Sequence, residues 1–165
     1  MARRKPFSEV LVKMCLSDLS KVLRHIHQYR YVHCNLKPSH ILISKNSFML
    51  NNFRSCMRLP VQFAPEEKLF VDYQGLGETI YKMCSYDLDF YSADLINWIQ
   101  RLIDNNPNKR PNPLETLTQK FMLDFNNSDE NRAALFAKEF LKEKLTKKEN
   151  TFDEIGYSSE NDKTP

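Results

Sequence analysis

The chain has three glycines in 165 residues, too few, and two of them wrongly spaced, for a phosphate-cradling Gly-rich loop: Gly75 and Gly77 are followed by no third glycine and preceded by no strand. Its four cysteines, at 15, 34, 56 and 84, form no C-x-x-C pair and no cluster, which fits reduced thiols inside a cell better than a disulfide framework or a structural zinc site. No apolar run approaches the roughly 20 residues that span a bilayer, and none of signal-peptide length follows Met1-Ala2-Arg3-Arg4-Lys5-Pro6. The expected location is therefore cytoplasmic, with the nucleus open to it and no membrane partner. A net charge of +3 is too mild to point to nucleic acid.

What is present is enough for one compact domain. With 41% hydrophobic and 12% aromatic residues, the chain can bury a real core. Leu19, Val22, Leu23 and Ile26 recur at helical spacing, with Ser17 as the expected N-cap of a helix over 17–29. Ile41-Leu42-Ile43 and Phe48-Met49-Leu50 read as two short strands joined by a turn, behind a polar loop that contains Pro38. Residues 54–71 look irregular, and helices are expected at 71–84, about 95–103 and 114–122. An amphipathic helix is expected over 127–148, where Ala134, Leu135, Phe140, Leu141 and Leu145 lie among Lys and Glu, and a disordered tail over 149–165. The expected organisation is thus a basic segment at 1–10, a domain at 11–126, that helix and that tail.

One stretch carries chemical information. His33-Cys34-Asn35-Leu36-Lys37-Pro38-Ser39-His40-Ile41-Leu42-Ile43 resembles the protein-kinase catalytic loop H-R-D-L-K-P-x-N-I-L-I. Asn52-Phe53-Arg54 stands where the family has D-F-G, Ala64-Pro65-Glu66 matches A-P-E, Asp72 to Gly77 resembles D-x-x-x-L-G, and Arg110-Pro111 resembles the late R-P. Ordered matches of this kind identify the chain as similar to the C-terminal lobe of eukaryotic-type protein kinases: mainly α, with a small β-hairpin. The lobe that covers ATP is expected to be absent, because neither G-x-G-x-x-G nor a V-A-I-K-like strand precedes the loop.

The resemblance implies structural roles for the residues that match. Glu66 and Arg110 would form a buried ion pair, Asp72 would cap the backbone of the catalytic loop, and His33 would stack on Phe53 in a hydrophobic spine. It implies loss of function where residues differ. The family's loop carboxylate accepts the substrate hydroxyl's proton, but position 35 is Asn, and a neutral amide is no base near pH 7. Magnesium favours charged oxygen ligands, yet Asn52 replaces the D-F-G carboxylate and His40 the metal-binding Asn. Arg54 replaces a flexible glycine, and Cys34 replaces the arginine that would grip an activation-loop phosphate. Lys37 is retained at the position used near the transferred phosphate, where a plain surface lysine would serve the sequence equally well. The segments 52–66 and 72–110 are shorter than usual for the family, which places the substrate-docking region and one peripheral helix in question. Ser39 to Ser44 with Phe53-Arg54-Ser55 resembles the STRAD-type adaptor pseudokinases.

No catalytic set is therefore intact at Asn35, Lys37, His40 and Asn52, and no cofactor is expected; ATP and magnesium would enter only with residual activity. The expected function is that of a pseudokinase that binds a protein partner, such as another kinase. A residual serine/threonine kinase, with its other lobe supplied in trans or omitted from the chain, is the alternative, and a truncated or decayed product is the third. No metal site is expected from His25 and His27, two apart on a helix and so facing different sides. Asp87, Asp89 and Asp104 are expected to be solvated loop carboxylates, and the aromatics at 29, 31, 53 and 63 to be packing residues.

Overall fold

The computed structural model describes residues 6–44, 46–60, 66–122, 134 and 136–139. The helix over 127–148, the tail and the basic start fall largely or wholly outside them. Helix α1 (Glu9–Gln28) leads through strand β1 (Tyr31–Val32) and a polar loop to β2 (Ile41–Ile43) and β3 (Phe48–Leu50). A second loop leads to β4 (Met57–Arg58), followed by α2 (Glu66–Met83), α3 (Ala93–Leu102) and α4 (Pro113–Thr118).

Helix α1 begins earlier than its apolar period suggested. Ser8, not Ser17, is the N-cap, its hydroxyl accepting from Leu11 N at 3.5 Å. Ser17 is wholly buried in mid-helix, and Leu11, Val12, Met14, Cys15 and Leu16 all enter the core. Almost the whole first half of α1 is apolar and buried on more than one face, which hid the 3.6-residue period there. The expected boundary between a basic segment and the domain at 10/11 accordingly falls inside a helix. Glu9 ties its start to α3 by accepting from Ser92 N at 2.7 Å and Ser92 Oγ at 2.6 Å, and by pairing with Lys13 at 2.6 Å. Partial burial pushes the Glu9 carboxyl up, but these hydrogen bonds outweigh it and leave its pKa below the ordinary 4.5.

Strands β2 and β3 pair antiparallel as Ile41↔Leu50, Leu42↔Met49 and Ile43↔Phe48. Phe48 and Leu50 are buried while Leu42 and Met49, on the other face, stay about half exposed at 47% and 48%. Asp18 on α1 holds the hairpin in place by accepting from Phe48 N at 2.9 Å. Phe136, in a helical stretch at 136–139, packs edge-on against Phe48 with ring centroids 5.5 Å apart and is itself buried. Residues 54–71 are less irregular than expected: β4 pairs with β1 as Tyr31↔Arg58 and Val32↔Met57, and α2 starts at Glu66 rather than 71. Two-residue strands carry too little alternation to be seen without their partners.

The core is formed by α1, α2, α3 and the buried side of the hairpin. Gly77 is where α2 and α3 meet: a Cβ there would lie 2.7 Å from Leu102 Cβ and 2.9 Å from Ile103 Cγ2. From α2 the chain passes to α3 through turns at 84–92 with no helix between them, in keeping with the short spacing between Asp72 and Arg110. Helix α4 ends at Thr118, short of the expected 122, because Gln119 adopts an extended ψ of 141° before the helical residues 120–122. Trp98 joins α3 to α4, its Nε1 donating to Thr116 Oγ1 at 3.2 Å.

Candidate functional site: a loop held from below and closed on itself above

The loop between β1 and β2 is held by one carboxylate. Asp72, in α2 and fully buried, accepts from His33 N at 2.8 Å and from Cys34 N at 2.9 Å. His27, near the end of α1, donates from Nε2 to the same carboxylate at 2.9 Å. Three donors satisfy a charge that would otherwise be costly to bury. They also hold Cys34 at φ 62°, a left-handed conformation that costs a non-glycine residue about 1–2 kcal/mol. Leu36 follows, packed so closely on α2 that a Cβ at Gly75 would come within 3.0 Å of Leu36 Cβ. The His27 contact was not read from the sequence; its signal was the position of His27 six residues before His33, at the end of the helix that enters the loop.

Above this anchor, the residues expected to have lost their chemistry contact one another. His40, buried in a short 3-10 turn (Pro38–His40), donates from Nδ1 to the Asn35 carbonyl at 2.7 Å. With the proton on Nδ1, Nε2 accepts from Asn52 Nδ2 at 2.8 Å. The two side chains that the resemblance would put at metal positions thus hydrogen-bond to each other. Asn52 itself sits at φ 63°, ψ 66°, which Asn tolerates better than most residues. His33 completes the loop, its Nε2 donating to the Asn51 carbonyl at 3.1 Å and its Nδ1 accepting from Asn35 N at 3.4 Å.

His33 stacks edge-on against Phe53, with ring centroids 5.0 Å apart and an interplanar angle of 84°. The spine expected there is covered on one side only: His33 is fully buried, but Phe53 is 44% exposed. Lys37 is exposed. Arg110 is half-buried and donates from Nε to the Asp104 carbonyl at 2.8 Å and from Nη1 to the Phe70 carbonyl at 3.3 Å. The Glu66 side chain, like Ala64 and Pro65, lies outside the described residues, so the Glu66–Arg110 pair does too. Asp104 and Asp87 cap their own loops, accepting from Asn106 N at 2.8 Å and Asp89 N at 3.2 Å.

No carboxylate stands at position 35, 40 or 52. Positions 35 and 52 offer amides, position 40 an imidazole, and the Asn52 amide nitrogen already faces His40. Among the described residues no group of three or more His, Cys, Asp or Glu side chains could hold a metal ion, and no helix is long and apolar enough to cross a membrane. A groove of about 590 Å³ lies elsewhere, lined by Arg24, His27, Phe70, Tyr73, Arg110 and Leu114 among others, and shares no residue with the loop of Asn35, His40 and Asn52.

No family model matches the sequence. The chain is similar to the serine/threonine-protein kinase Genghis Khan of Drosophila melanogaster, 25% identical over 123 residues, which takes in 59% of this chain and 8% of that protein. It is also similar to the MAPK/MAK/MRK overlapping kinase of Mus musculus, 26% identical over 96 residues, with 57% of this chain and 23% of that protein covered. The chain therefore spans less than a quarter of either relative. Among solved structures, a crystal structure of the Rad53 kinase domain and SCD2 superposes with a TM-score of 0.63 at 16% identity, covering 71% of this chain and 57% of that one. The fold is that of a protein-kinase-like C-terminal lobe, mainly α with a small antiparallel hairpin.

Proposed function

We propose that this chain is a catalytically inactive kinase-like domain that works by binding a protein partner. The observation that carries this is the 2.8 Å hydrogen bond between Asn52 and His40. It joins two side chains, neither of them a carboxylate, at the points where the kinase resemblance would place magnesium ligands, and His40 offers nitrogen in place of oxygen. Asn35 adds an amide where a base would be required. Without a proton acceptor or a metal clamp, Lys37 is the one group of this loop left that could stabilise the charge of phosphoryl transfer. Binding is favoured by apolar residues left open: Leu42 and Met49, paired across the hairpin, and Phe53, stacked on His33, are 44–48% exposed. The sequence resemblance to STRAD-type adaptors points toward a kinase as that partner.

The test pairs nucleotide binding with phosphotransfer. Purified protein is expected to show no magnesium-dependent thermal shift with ATP, whereas a ligand at 100 times its dissociation constant would add ~2.7 kcal/mol. Incorporation of labelled phosphate into a protein substrate, abolished by Lys37→Ala, would overturn the proposal. That result would instead favour a residual serine/threonine kinase, the activity named for the Drosophila relative, with the retained Lys37 as its supporting residue.

A further inference from the structure

Between Asp18 and Glu66 the chain has no aspartate or glutamate, although it has 21 of them in all. The basic residues of that stretch therefore have no acid close by in sequence. Elsewhere exposed or partly exposed lysines do: Lys13 pairs with Glu9 at 2.6 Å and Lys82 with Glu78 at 4.0 Å, each four residues away. Lys37, Arg54 and Arg58 are all exposed, and none of them makes an ion pair among the described residues.

The fold sets these three cations on two loops that are joined to each other. Lys37 precedes the short turn Pro38–His40, Asn52 precedes the turn Phe53–Ser55 that holds Arg54, and the His40–Asn52 bond ties the two turns together. Arg58 lies opposite Tyr31 in the β1–β4 ladder, its guanidinium 6.0 Å from the centre of the Tyr31 ring. Apolar side chains stand next to the arginines: Phe53 beside Arg54 and Met57 beside Arg58 are 44% and 41% exposed, and Tyr31 is 40% exposed. Asp72, the carboxylate that holds the first of these loops, is fully buried and engaged by three N–H donors. The solvent side of the two loops thus carries one sign of charge, which draws in the opposite one.

We propose that this face binds an acidic segment of a protein partner, with Lys37, Arg54 and Arg58 meeting its carboxylates and Tyr31, Phe53 and Met57 its apolar side chains. The proposal rests on the reading of the chain as a binding domain and adds the chemistry of what is bound. Nucleic acid fits less well, because three cations fall short of the roughly 6–10 phosphate contacts of a strongly salt-dependent DNA binder.

The test follows the fluorescence polarisation of a labelled peptide that mixes glutamate with leucine, titrated with the full chain. Saturable binding is expected that weakens as salt rises and is absent for the matching peptide of glutamine and leucine. Arg54→Ala and Arg58→Ala should each weaken it about two- to fivefold. Lys37→Glu, Arg54→Glu and Arg58→Glu combined should remove it, with an unchanged circular dichroism spectrum because all three side chains are exposed. Equal binding of the glutamine peptide, no binding at all, a triple variant as tight as the parent, or tighter binding of single-stranded oligodeoxythymidine would each overturn the proposal. Loss of binding in Leu42→Asp with both arginine variants unaffected would also overturn it, moving the partner to the outer face of the hairpin while protein binding still stood. Phosphate incorporation into a substrate would instead overturn the inactive reading and leave the peptide affinity as measured.

Discussion

Below and above one loop, the molecule treats charge in opposite ways. Below it, Asp72 is a fully buried carboxylate met by three N–H donors. Above it, where a phosphoryl-transfer site would place carboxylates, Asn35 and Asn52 carry none, and Asn52 pairs with His40. The difference separates two uses of an anion. Asp72 fixes backbone, including the strained Cys34, whether or not any reaction occurs. The loop keeps its shape with no carboxylate at 35 or 52.

If that division is correct, the two sides should respond unequally to substitution. Asp72→Ala strands the His33 and Cys34 amides and removes the partner of His27, so a loss on the order of 3–5 kcal/mol is expected in urea denaturation; a loss below ~1 kcal/mol would mean the loop is held by something else. Gly77→Ala tests the packing that positions Asp72, since the added Cβ would meet Leu102 at 2.7 Å. A cost of about 1–3 kcal/mol is expected, with the folded state otherwise retained by circular dichroism. Above the loop, a double-mutant cycle with His40→Ala and Asn52→Ala should return a coupling of only ~0.5–1.5 kcal/mol, and zero coupling would remove the hydrogen bond from the account.

The smallest expected effect concerns the clasp between α1 and α3. Glu9 has its folded pKa lowered below 4.5, with burial opposing and Lys13 and Ser92 prevailing. A depressed carboxyl contributes stability that is present above its unfolded pKa and is lost as pH falls through the folded one. Stability should therefore decline as pH drops below about 4.5, and Glu9→Gln should flatten that decline while costing ~1 kcal/mol at neutral pH. An unchanged acid limb in the variant would show that other carboxylates dominate it.

How much of this was legible in advance differs by region. His33 to Ile43 and Asp72 to Gly77 carried enough residue-specific pattern to suggest the fold, and with it the positions of the hairpin and the central helix. The early start of α1 was masked because residues 11–16 are nearly all apolar, so no polar face marked a period. The partnership of β1 with β4 was invisible because two residues on each side define no alternation. Phe53 was expected inside a spine, but whether an aromatic is covered depends on what packs over it.

The order of residue types along the chain determined that no acidic group stands at 35, 40 or 52, and that is a matter of composition at fixed positions. Only the tertiary structure decided that Asn52 and His40 meet, that His27 reaches across to Asp72, and that β1 finds its partner in β4. Those facts depend on distances between segments far apart in the chain, which close packing fixes and local pattern does not encode.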